Sequence, residues 1–222
     1  MNEQQIYIWK ERMKHPINLV DRLEFWYKSY SLIPFCEAVT GQKVPDKLIK
    51  ETGQLKLKDS QRKAIYLCTR LLKPNLIIET GVAKGASTQA FLLALHNNKK
   101  GKLYSIELPV EGFCSDGQIH RNETTAEFVD DYLKDRWELI LGDSKIELPS
   151  LLNQIGNIDI FMHDSLHTYE HMKYEFDVVK YKAKYIFSDD IFWNHAFREA
   201  AGNKKFITLN AQQGVIFNEV IE

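Results

Sequence analysis

The sequence of 222 residues has little that would mark a specialised class of protein. Its three cysteines, Cys36, Cys68 and Cys114, are far apart and odd in number, so we expect reduced thiols in the cytoplasm and neither a disulfide framework nor a zinc knuckle. The net charge of −1 gives no reason to expect nucleic acid or an anionic membrane as a partner. No apolar run approaches the roughly 20 residues of a membrane helix, and the polar N-terminus lacks the apolar core of a signal peptide.

Two common nucleotide-binding signatures are also missing. The sequence has no G-x-G-x-x-G, which is typical of dinucleotide-binding proteins, and no G-K-[ST] of a phosphate-binding loop. It has instead I-I-E-T-G-V-A-K-G-A-S, in which Gly81 and Gly85 separate a short apolar run from a helical pattern that begins near Ser87. Glycines permit a sharp turn and a close approach to the backbone, and a helix start favours anions. This turn is compatible both with ligand binding and with a purely structural role.

The pattern of apolar residues divides the chain into two parts. Residues 1–58 carry helical patterns interrupted by proline and glycine, and we interpret them as an N-terminal helical extension. Residues 59–222 alternate between short β runs and helical segments, among them a helix with Ser60 as its N-cap and another near 123–133. Five β runs of this kind and a C-terminal antiparallel hairpin predict an α/β fold, with a doubly wound, mostly parallel, seven-stranded Rossmann-like sheet.

Ligands of such sheets bind outside the carboxyl ends of the strands, and acidic residues follow most of the predicted strands. Glu107, after the second strand, is placed to accept both hydroxyls of a ribose, a group that NAD and S-adenosylmethionine share. Asp143 and Ser144, after the third strand, are placed where an exocyclic amine and a ring nitrogen of adenine would lie. The same Gly-Asp-Ser stretch is equally consistent with a turn followed by a helix cap.

The stretch H-D-S-L-H, residues 163–167, has two histidines at the spacing of a zinc protease helix. The apolar β run I-D-I-F-M enters directly at His163, so the first histidine belongs to a strand end and the helical spacing loses its meaning. We therefore disfavour a zinc hydrolase. We expect His163 to be a core histidine and His171 to be a surface or packing residue.

The acids after the fourth and fifth strands suggest a cation site. Asp164 follows the fourth strand, and Asp189 and Asp190 follow the fifth. If these strands are neighbours, at about 4.8 Å, the three carboxylates converge, repel one another and raise one another's pKa values. A bound cation removes that cost, and an all-oxygen ligand set suits a hard ion such as Mg²⁺. The alternative is that Asp189 or Asp190 is only a loop or cap residue.

These motifs together resemble class I S-adenosylmethionine-dependent methyltransferases over residues 59–222, in particular the divalent-metal-dependent O-methyltransferases of the catechol and sugar types. The resemblance implies that Glu79 and Ser87 contact the methionine part of the cofactor at the Gly81–Gly85 turn. It implies further roles for residues at the later strand ends: Glu107 for the ribose, Asp143 and Ser144 for the adenine, Asp164, Asp189 and Asp190 for the metal, and His167 as general base.

The function expected from this resemblance is methyl transfer to a hydroxyl of a small molecule, a sugar or another vicinal diol. In it, a divalent cation binds the acceptor hydroxyl and His167 takes its proton. Two alternatives remain open, a non-catalytic S-adenosylmethionine-binding module and an NAD-dependent oxidoreductase on the same fold. We further consider residues 109–123 as a lid or acceptor-recognition loop, and the N-terminal extension as a cover for the cofactor or a homodimer interface.

Overall fold

The computed structural model of the protein describes residues 3–109, 112–113, 119–120 and 125–218. Within them a mixed sheet of eight strands lies between two layers of helices. The strands are β1 (Ser29–Tyr30), β2 (Leu76–Thr80), β3 (Lys102–Glu107), β4 (Gly112–Phe113), β5 (Ile119–His120), β6 (Trp137–Leu141), β7 (Ile158–His163), β8 (Ala183–Ser188), β9 (Phe206–Leu209) and β10 (Gln213–Phe217). The helices are α1 (Glu3–Arg12), α2 (Leu19–Tyr27), α3 (Leu32–Thr40), α4 (Asp46–Gln54), α5 (Ser60–Leu72), α6 (Ala86–Asn98), α7 (Ser144–Ile155), α8 (Tyr169–Val179) and α9 (Ala196–Ala201), with a 3-10 helix at Asp131–Arg136.

The main sheet has the strand order β1-β9-β10-β8-β7-β2-β3-β6, while β4 and β5 form a separate antiparallel pair. Five neighbouring pairs are parallel, and β10 is antiparallel to both β8 and β9. From β2 the chain first adds β3 and β6 on one side and then returns to add β7 and β8 on the other. The order therefore reverses at β2, which is where open α/β sheets bind ligands at their carboxyl edge.

The predicted doubly wound α/β fold with its C-terminal hairpin is confirmed, and the structure adds one strand to the seven expected. The added strand is β1, in which Ser29 and Tyr30 pair in parallel with Thr208 and Leu209 of β9. It comes from the region interpreted as a helical extension. In the same region, side chains of α3 pack into the apolar core beside α5 and α6. The extension is therefore part of the fold. The boundary at residue 58 stays a prediction.

The two faces of the sheet bury separate apolar clusters. Consecutive strand residues point to opposite faces, so Ile77 contributes to the cluster under α3, α5 and α6 and Ile78 to the cluster under α7, α8 and α9. Phe161 and Met162 of β7 divide in the same way. Burial on both faces explains why the central strands read as continuous apolar runs in the sequence.

Two local predictions were wrong. The N-cap of α5 is Asp59, whose Oδ1 accepts a hydrogen bond from the backbone N–H of Arg62 at 2.9 Å, and Ser60 is the first helical residue. The helix expected near 123–133 is a turn at 125–128 followed by the 3-10 helix. In that turn Ala126 has a φ of +61°, which a regular helix does not allow. The loop predicted at 109–123, with Cys114, falls mostly outside the described residues.

The turn after β2 depends on its first glycine. Gly81 has a φ of +84°, and a Cβ at this position would overlap the backbone carbonyl of Asp164. Gly85 has a φ of +81° and lies against Ala126 and Val129. The two glycines therefore let the turn pack closely between the chain after β7 and the segment before the 3-10 helix.

Among the residues that the structure describes, none of the helices combines the length and the hydropathy that crossing a bilayer requires.

We predict that Gly81→Ala lowers the free energy of unfolding by about 3 kcal/mol or more, because it adds both a backbone overlap and an unfavourable φ. Gly41→Ala is the matched control, because Gly41 has a φ of +67° but a Cβ there meets nothing within 4 Å. Gly41→Ala should lower the free energy of unfolding by only about 1 kcal/mol. Denaturant unfolding measures both values, and equal losses would contradict the close contact between Gly81 and Asp164.

Candidate functional site

The carboxyl ends of the three central strands lie in one row. Thr80, His163 and Ser188 are register partners across β2, β7 and β8. The ladder continues one residue further, because the Asp164 N–H donates to Thr80 O at 2.9 Å and the Asp189 N–H to His163 O at 3.0 Å. The structure therefore brings the Gly81 turn, Asp164 and Asp189 side by side at the edge expected to bind ligands.

Glu79 lies beneath the glycine turn with no exposed surface. Its carboxylate accepts hydrogen bonds from three hydroxyls, those of Ser87 (2.5 Å), Thr88 (2.7 Å) and Ser105 (2.8 Å). Burial raises the pKa of Glu79, although these hydrogen bonds act in the opposite direction. In this arrangement Glu79 fixes the first turn of α6 to β3 and does not reach the surface where a cofactor would lie.

Glu107 ends β3 beside the same turn. One oxygen of its carboxylate, Oε2, accepts from the backbone N–H groups of Val82 and of Ala83, the latter at 2.9 Å. Charge-assisted bonds of this kind hold a turn firmly. The residue predicted to bind a ribose thus also fixes the conformation of the glycine turn.

Asp143 and Ser144 start α7 at the end of β6. Asp143 is the N-cap, with Oδ1 accepting from the Lys145 N–H at 2.9 Å, so the helix-cap alternative applies to this residue. Ser144 is buried, and its Oγ lies 3.2 Å from Nε2 of His171. Contact of either residue with an adenine stays a prediction.

The acids after β7 and β8 are Asp164, Asp189 and Asp190, which we call the acid cluster. Burial raises the pKa of Asp164 well above its usual range, and the charges of Asp189, Glu79 and Asp190 raise it further. Burial and then the charge of Asp190 raise the pKa of Asp189 to about 7. Oδ1 of Asp189 also accepts from Gln61 of α5 at 2.6 Å. Over the described ranges, no three acid, histidine or cysteine side chains are grouped closely enough to hold a metal ion.

His167 is buried at the acid cluster. Its Nε2 lies 4.0 Å from Oδ1 of Asp164, and its Nδ1 lies 3.4 Å from Nη2 of Arg12 in α1. Burial lowers the pKa of His167 well below its ordinary value, and the charges of His163 and Arg12 lower it further, so the ring is neutral near pH 7. A guanidinium only donates, so Nδ1 accepts and the ring hydrogen lies on Nε2. A base role at Nε2 therefore requires that the Arg12 contact be released.

A second buried carboxylate organises the H-D-S-L-H stretch. Glu175 of α8 has no exposed surface and lies within hydrogen-bond distance of four side chains. These are His163 Nδ1 (2.6 Å), Thr80 Oγ1 (2.7 Å), His171 Nε2 (2.9 Å) and Ser165 Oγ (3.0 Å). Burial alone would raise the pKa of Glu175, but His163 and these hydrogen bonds hold it well below its usual range. The network ties β2, β7 and α8 together.

This network explains the histidine spacing. His163 ends β7 and is fully buried, as expected of a core histidine, and His171 alone of the three lies in a helix. The described residues therefore do not form a zinc protease helix. The prediction that His171 is a surface or packing residue missed its contact with the Glu175 carboxylate.

Sequence reasoning missed Glu175, Arg12 and Gln61. For Glu175 a signal existed, because it lies at an apolar position of α8, between the buried residues Met172 and Val179. A carboxylate on the apolar face of a helix is unusual unless it is paired. For Arg12 and Gln61 the sequence offers no comparable signal, since both reach the site only through packing of the N-terminal helices and α5.

Comparisons with known proteins show what this chain is similar to. The sequence model of a methyltransferase-domain family matches residues 78–186, which include the glycine turn, Glu107, H-D-S-L-H and most of β8. The central part of the chain therefore matches a methyltransferase domain. This confirms the resemblance to class I methyltransferases and argues against the NAD-dependent alternative. A search of curated proteins found none that matches this sequence.

Solved structures share the fold of the methyltransferase at low sequence identity. The SAH-bound methyltransferase PaMTH1 of Podospora anserina is 16% identical with a TM-score of 0.55, over 92% of this chain and 97% of that one. CalS11, a TDP-rhamnose 3'-O-methyltransferase of calicheamicin biosynthesis, is 17% identical with a TM-score of 0.56, over 83% and 91%. An O-methyltransferase from Bacillus cereus in complex with SAH is 12% identical with a TM-score of 0.53, over 84% and 98%.

We predict that Glu175→Gln lowers the free energy of unfolding by about 3 kcal/mol at pH 7, because it removes the charge that four buried donors surround. The folded-state pKa lies below the ordinary 4.5, so this stabilisation is present above that pH and is lost as the pH falls through the folded pKa. Denaturant unfolding at several pH values should show the difference between the two proteins narrowing below about pH 4.5.

The control for this prediction is Asp177→Asn on the same helix, where the side chain is 52% exposed. It should change stability by less than about 0.5 kcal/mol at every pH. A Glu175→Gln variant that behaves like this control would show that the buried network does not stabilise the fold.

Proposed function

We propose that the methyltransferase transfers a methyl group from S-adenosylmethionine to a hydroxyl oxygen of a small molecule, with a divalent cation at the acid cluster. The observation that supports this proposal is the match to a methyltransferase domain, combined with neighbouring strands β7 and β8 that are followed by Asp164 and Asp189. His167 Nε2 lies 4.0 Å from Asp164 Oδ1. The O-methyltransferases among the structural relatives support the choice of oxygen as acceptor.

The residues around the glycine turn fit the cofactor in their chemistry. The backbone turn and the start of α6 offer N–H groups at the carboxyl edge, where an anionic carboxylate is favoured. Glu107 is ionisable and half-buried beside this turn, as a residue that accepts from ribose hydroxyls should be. When bound, S-adenosylmethionine supplies an electrophilic methyl group on a sulfonium. We assign Asp143 and Ser144 to the adenine side, and Ser87 with Glu79 behind it to the methionine side.

The acid cluster fits a hard cation in ligand type but not yet in arrangement. Carboxylate oxygens are the ligands that Mg²⁺ prefers, and a nearby positive charge would lower the raised pKa values of Asp164 and Asp189. The side chains would have to rotate towards one another, and Gln61 would have to release Asp189. We therefore assign Asp164, Asp189 and Asp190 as the residues that would hold the cation, with Mg²⁺ as the expected ion.

A residue of this chain can accept the proton that the acceptor hydroxyl loses. The acceptor oxygen forms its new bond to the methyl carbon as the carbon–sulfur bond breaks, and the hydroxyl proton has to leave. His167 is neutral and buried next to Asp164, so once its Nε2 is free of hydrogen it can take that proton. Holding both reactants at this edge, away from water, supplies much of the rate.

The acceptor is proposed to be a sugar or another vicinal diol, since two adjacent hydroxyls can bind one cation. CalS11, a TDP-rhamnose 3'-O-methyltransferase, acts on a sugar of this kind. We propose the cytoplasm as the compartment, in line with the buried free thiols of Cys36 and Cys68.

We predict that Glu107→Ala weakens binding of S-adenosylmethionine and S-adenosylhomocysteine by about 10- to 100-fold, because it removes both the ribose acceptor and the carboxylate that fixes the turn. Isothermal titration calorimetry measures the affinities. Glu138→Ala is the control, because Glu138 is 51% exposed and pairs with Lys102 on the neighbouring strand. If Glu107→Ala and Glu138→Ala bind equally well, the cofactor does not lie at this turn.

We predict that Asp164→Ala abolishes metal-stimulated methyl transfer, with a loss in kcat of at least about 100-fold, while cofactor affinity changes less than about threefold. A turnover assay with a panel of sugars and catechols, with and without Mg²⁺, measures this. Asp177→Ala controls for the loss of an acid elsewhere and should keep full activity.

Three outcomes would contradict parts of this proposal. Unchanged turnover of Asp164→Ala would remove the metal from the mechanism. Turnover that is unchanged when a chelator is added would show that the reaction does not need the cation. Tight cofactor binding without turnover on any acceptor of the panel would favour the non-catalytic binding module.

A further inference from the structure

Helix α2 is amphipathic, but its polar side faces the protein. Oδ2 of Asp21 lies 3.1 Å from Nδ1 of His195, and Glu24 Oε2 accepts from Arg198 Nε at 2.8 Å. Between these ion pairs Phe25 is buried against the rings of Phe197 and Phe206. These contacts fix which face of α2 rests on the domain.

The opposite face of α2 is apolar and exposed. Its five large side chains have exposed fractions between 58% at Leu23 and 90% at Tyr27. They are Leu19, Val20, Leu23, Trp26 and Tyr27, which we call the α2 apolar face. Spacings of one, four, seven and eight residues place them on one side of the helix. A surface helix of a monomer presents the reverse arrangement, with its apolar stripe towards the core.

The size of this face matches a protein interface. Residues of these types, at these exposures, present about 700 Å² of apolar surface. A standard interface buries about 800 Å² on each partner, and single exposed apolar residues do not approach this area. The α2 apolar face is thus large enough to supply most of the area that one partner contributes to a stable interface.

The charges of α2 indicate what kind of partner binds the α2 apolar face. The charged residues of α2 and its C-cap balance, because Asp21 and Glu24, which pair with the domain, offset Arg22 and Lys28, and the whole chain has a net charge of −1. A helix that binds anionic lipid or nucleic acid has an excess of lysine and arginine on its polar side. An apolar face without such an excess suits another apolar face of the same kind, and a two-fold symmetric contact pairs a face with itself.

We propose that the α2 apolar face is the interface of a homodimer, in which a second copy of this chain packs its own α2 against it. This proposal does not depend on the reaction proposed above. The contact adjoins a cavity of about 320 Å³ that is lined by Arg22, Trp26, Phe192, Asn210 and Gln212. Because Arg22 and Trp26 of α2 line this cavity, the partner helix would lie next to it.

Sedimentation velocity of the full chain over a range of concentrations tests the proposal. The expected mass is twice the 25.9 kDa of one chain. Leu23→Glu should raise the dimer dissociation constant by more than about 100-fold, because the change acts on both copies. Val20→Arg, at a position that is 74% exposed, should act in the same direction and provides a second variant should the first fold poorly.

The matched control is Tyr181→Glu, which puts the same charge on another exposed large residue, 50% exposed, between α8 and β8. It should leave the dimer intact, and circular dichroism with a melting curve should show that all variants fold. The proposal is overturned if the natural sequence is a monomer at every concentration, or if both α2 variants dimerise as tightly as Tyr181→Glu. A monomer that co-sediments with phosphatidylcholine or phosphatidylserine vesicles would assign the face to a membrane instead.

Discussion

The buried carboxylate of Glu175 is the interaction on which the geometry of the site depends. It lies on α8 and, apart from His171 of the same helix, its partners belong to β2, to β7 and to the loop between β7 and α8. An ionised carboxylate without partners cannot be buried at an acceptable free energy, so the folded chain must bring these four donors to it. In doing so it fixes the direction in which the chain leaves β7, and with it the positions of Asp164 and His167.

Two consecutive residues of β2, Glu79 and Thr80, belong to two separate buried networks. The pKa of the buried carboxylate is raised in the first network and lowered in the second. Glu79 is surrounded by hydroxyls, which offset its burial only in part, so its pKa is raised. Thr80 points to the other face of the sheet and donates to Glu175, where imidazoles keep the pKa low. The pleat of one strand therefore anchors α6 and the glycine turn on one side and the loop after β7 on the other. The edge between them stays free for ligands.

The N-terminal helices contribute more than a cover. Arg12 reaches the ring of His167 and also lies over Trp193, and β1 completes the far edge of the sheet. Helix α2 presents an apolar face outwards and its acids inwards. The interface of the proposed homodimer would thus lie in the same N-terminal region that contacts the proposed base.

The order of strands and helices was determined by the sequence itself, because period-two and period-3.6 apolar patterns are local properties of the chain. The same holds for the glycine turn, for Glu79 and Glu107 near the ends of β2 and β3, and for the acids that follow β7 and β8, since each lies at the end of a strand that the sequence predicts. The Glu175 network, the Arg12 contact and the pairing of Asp189 with Gln61 were decided only by the tertiary structure. Each joins residues that are distant in sequence or hidden on an apolar face, and its free energy arises from burial, which no local pattern contains.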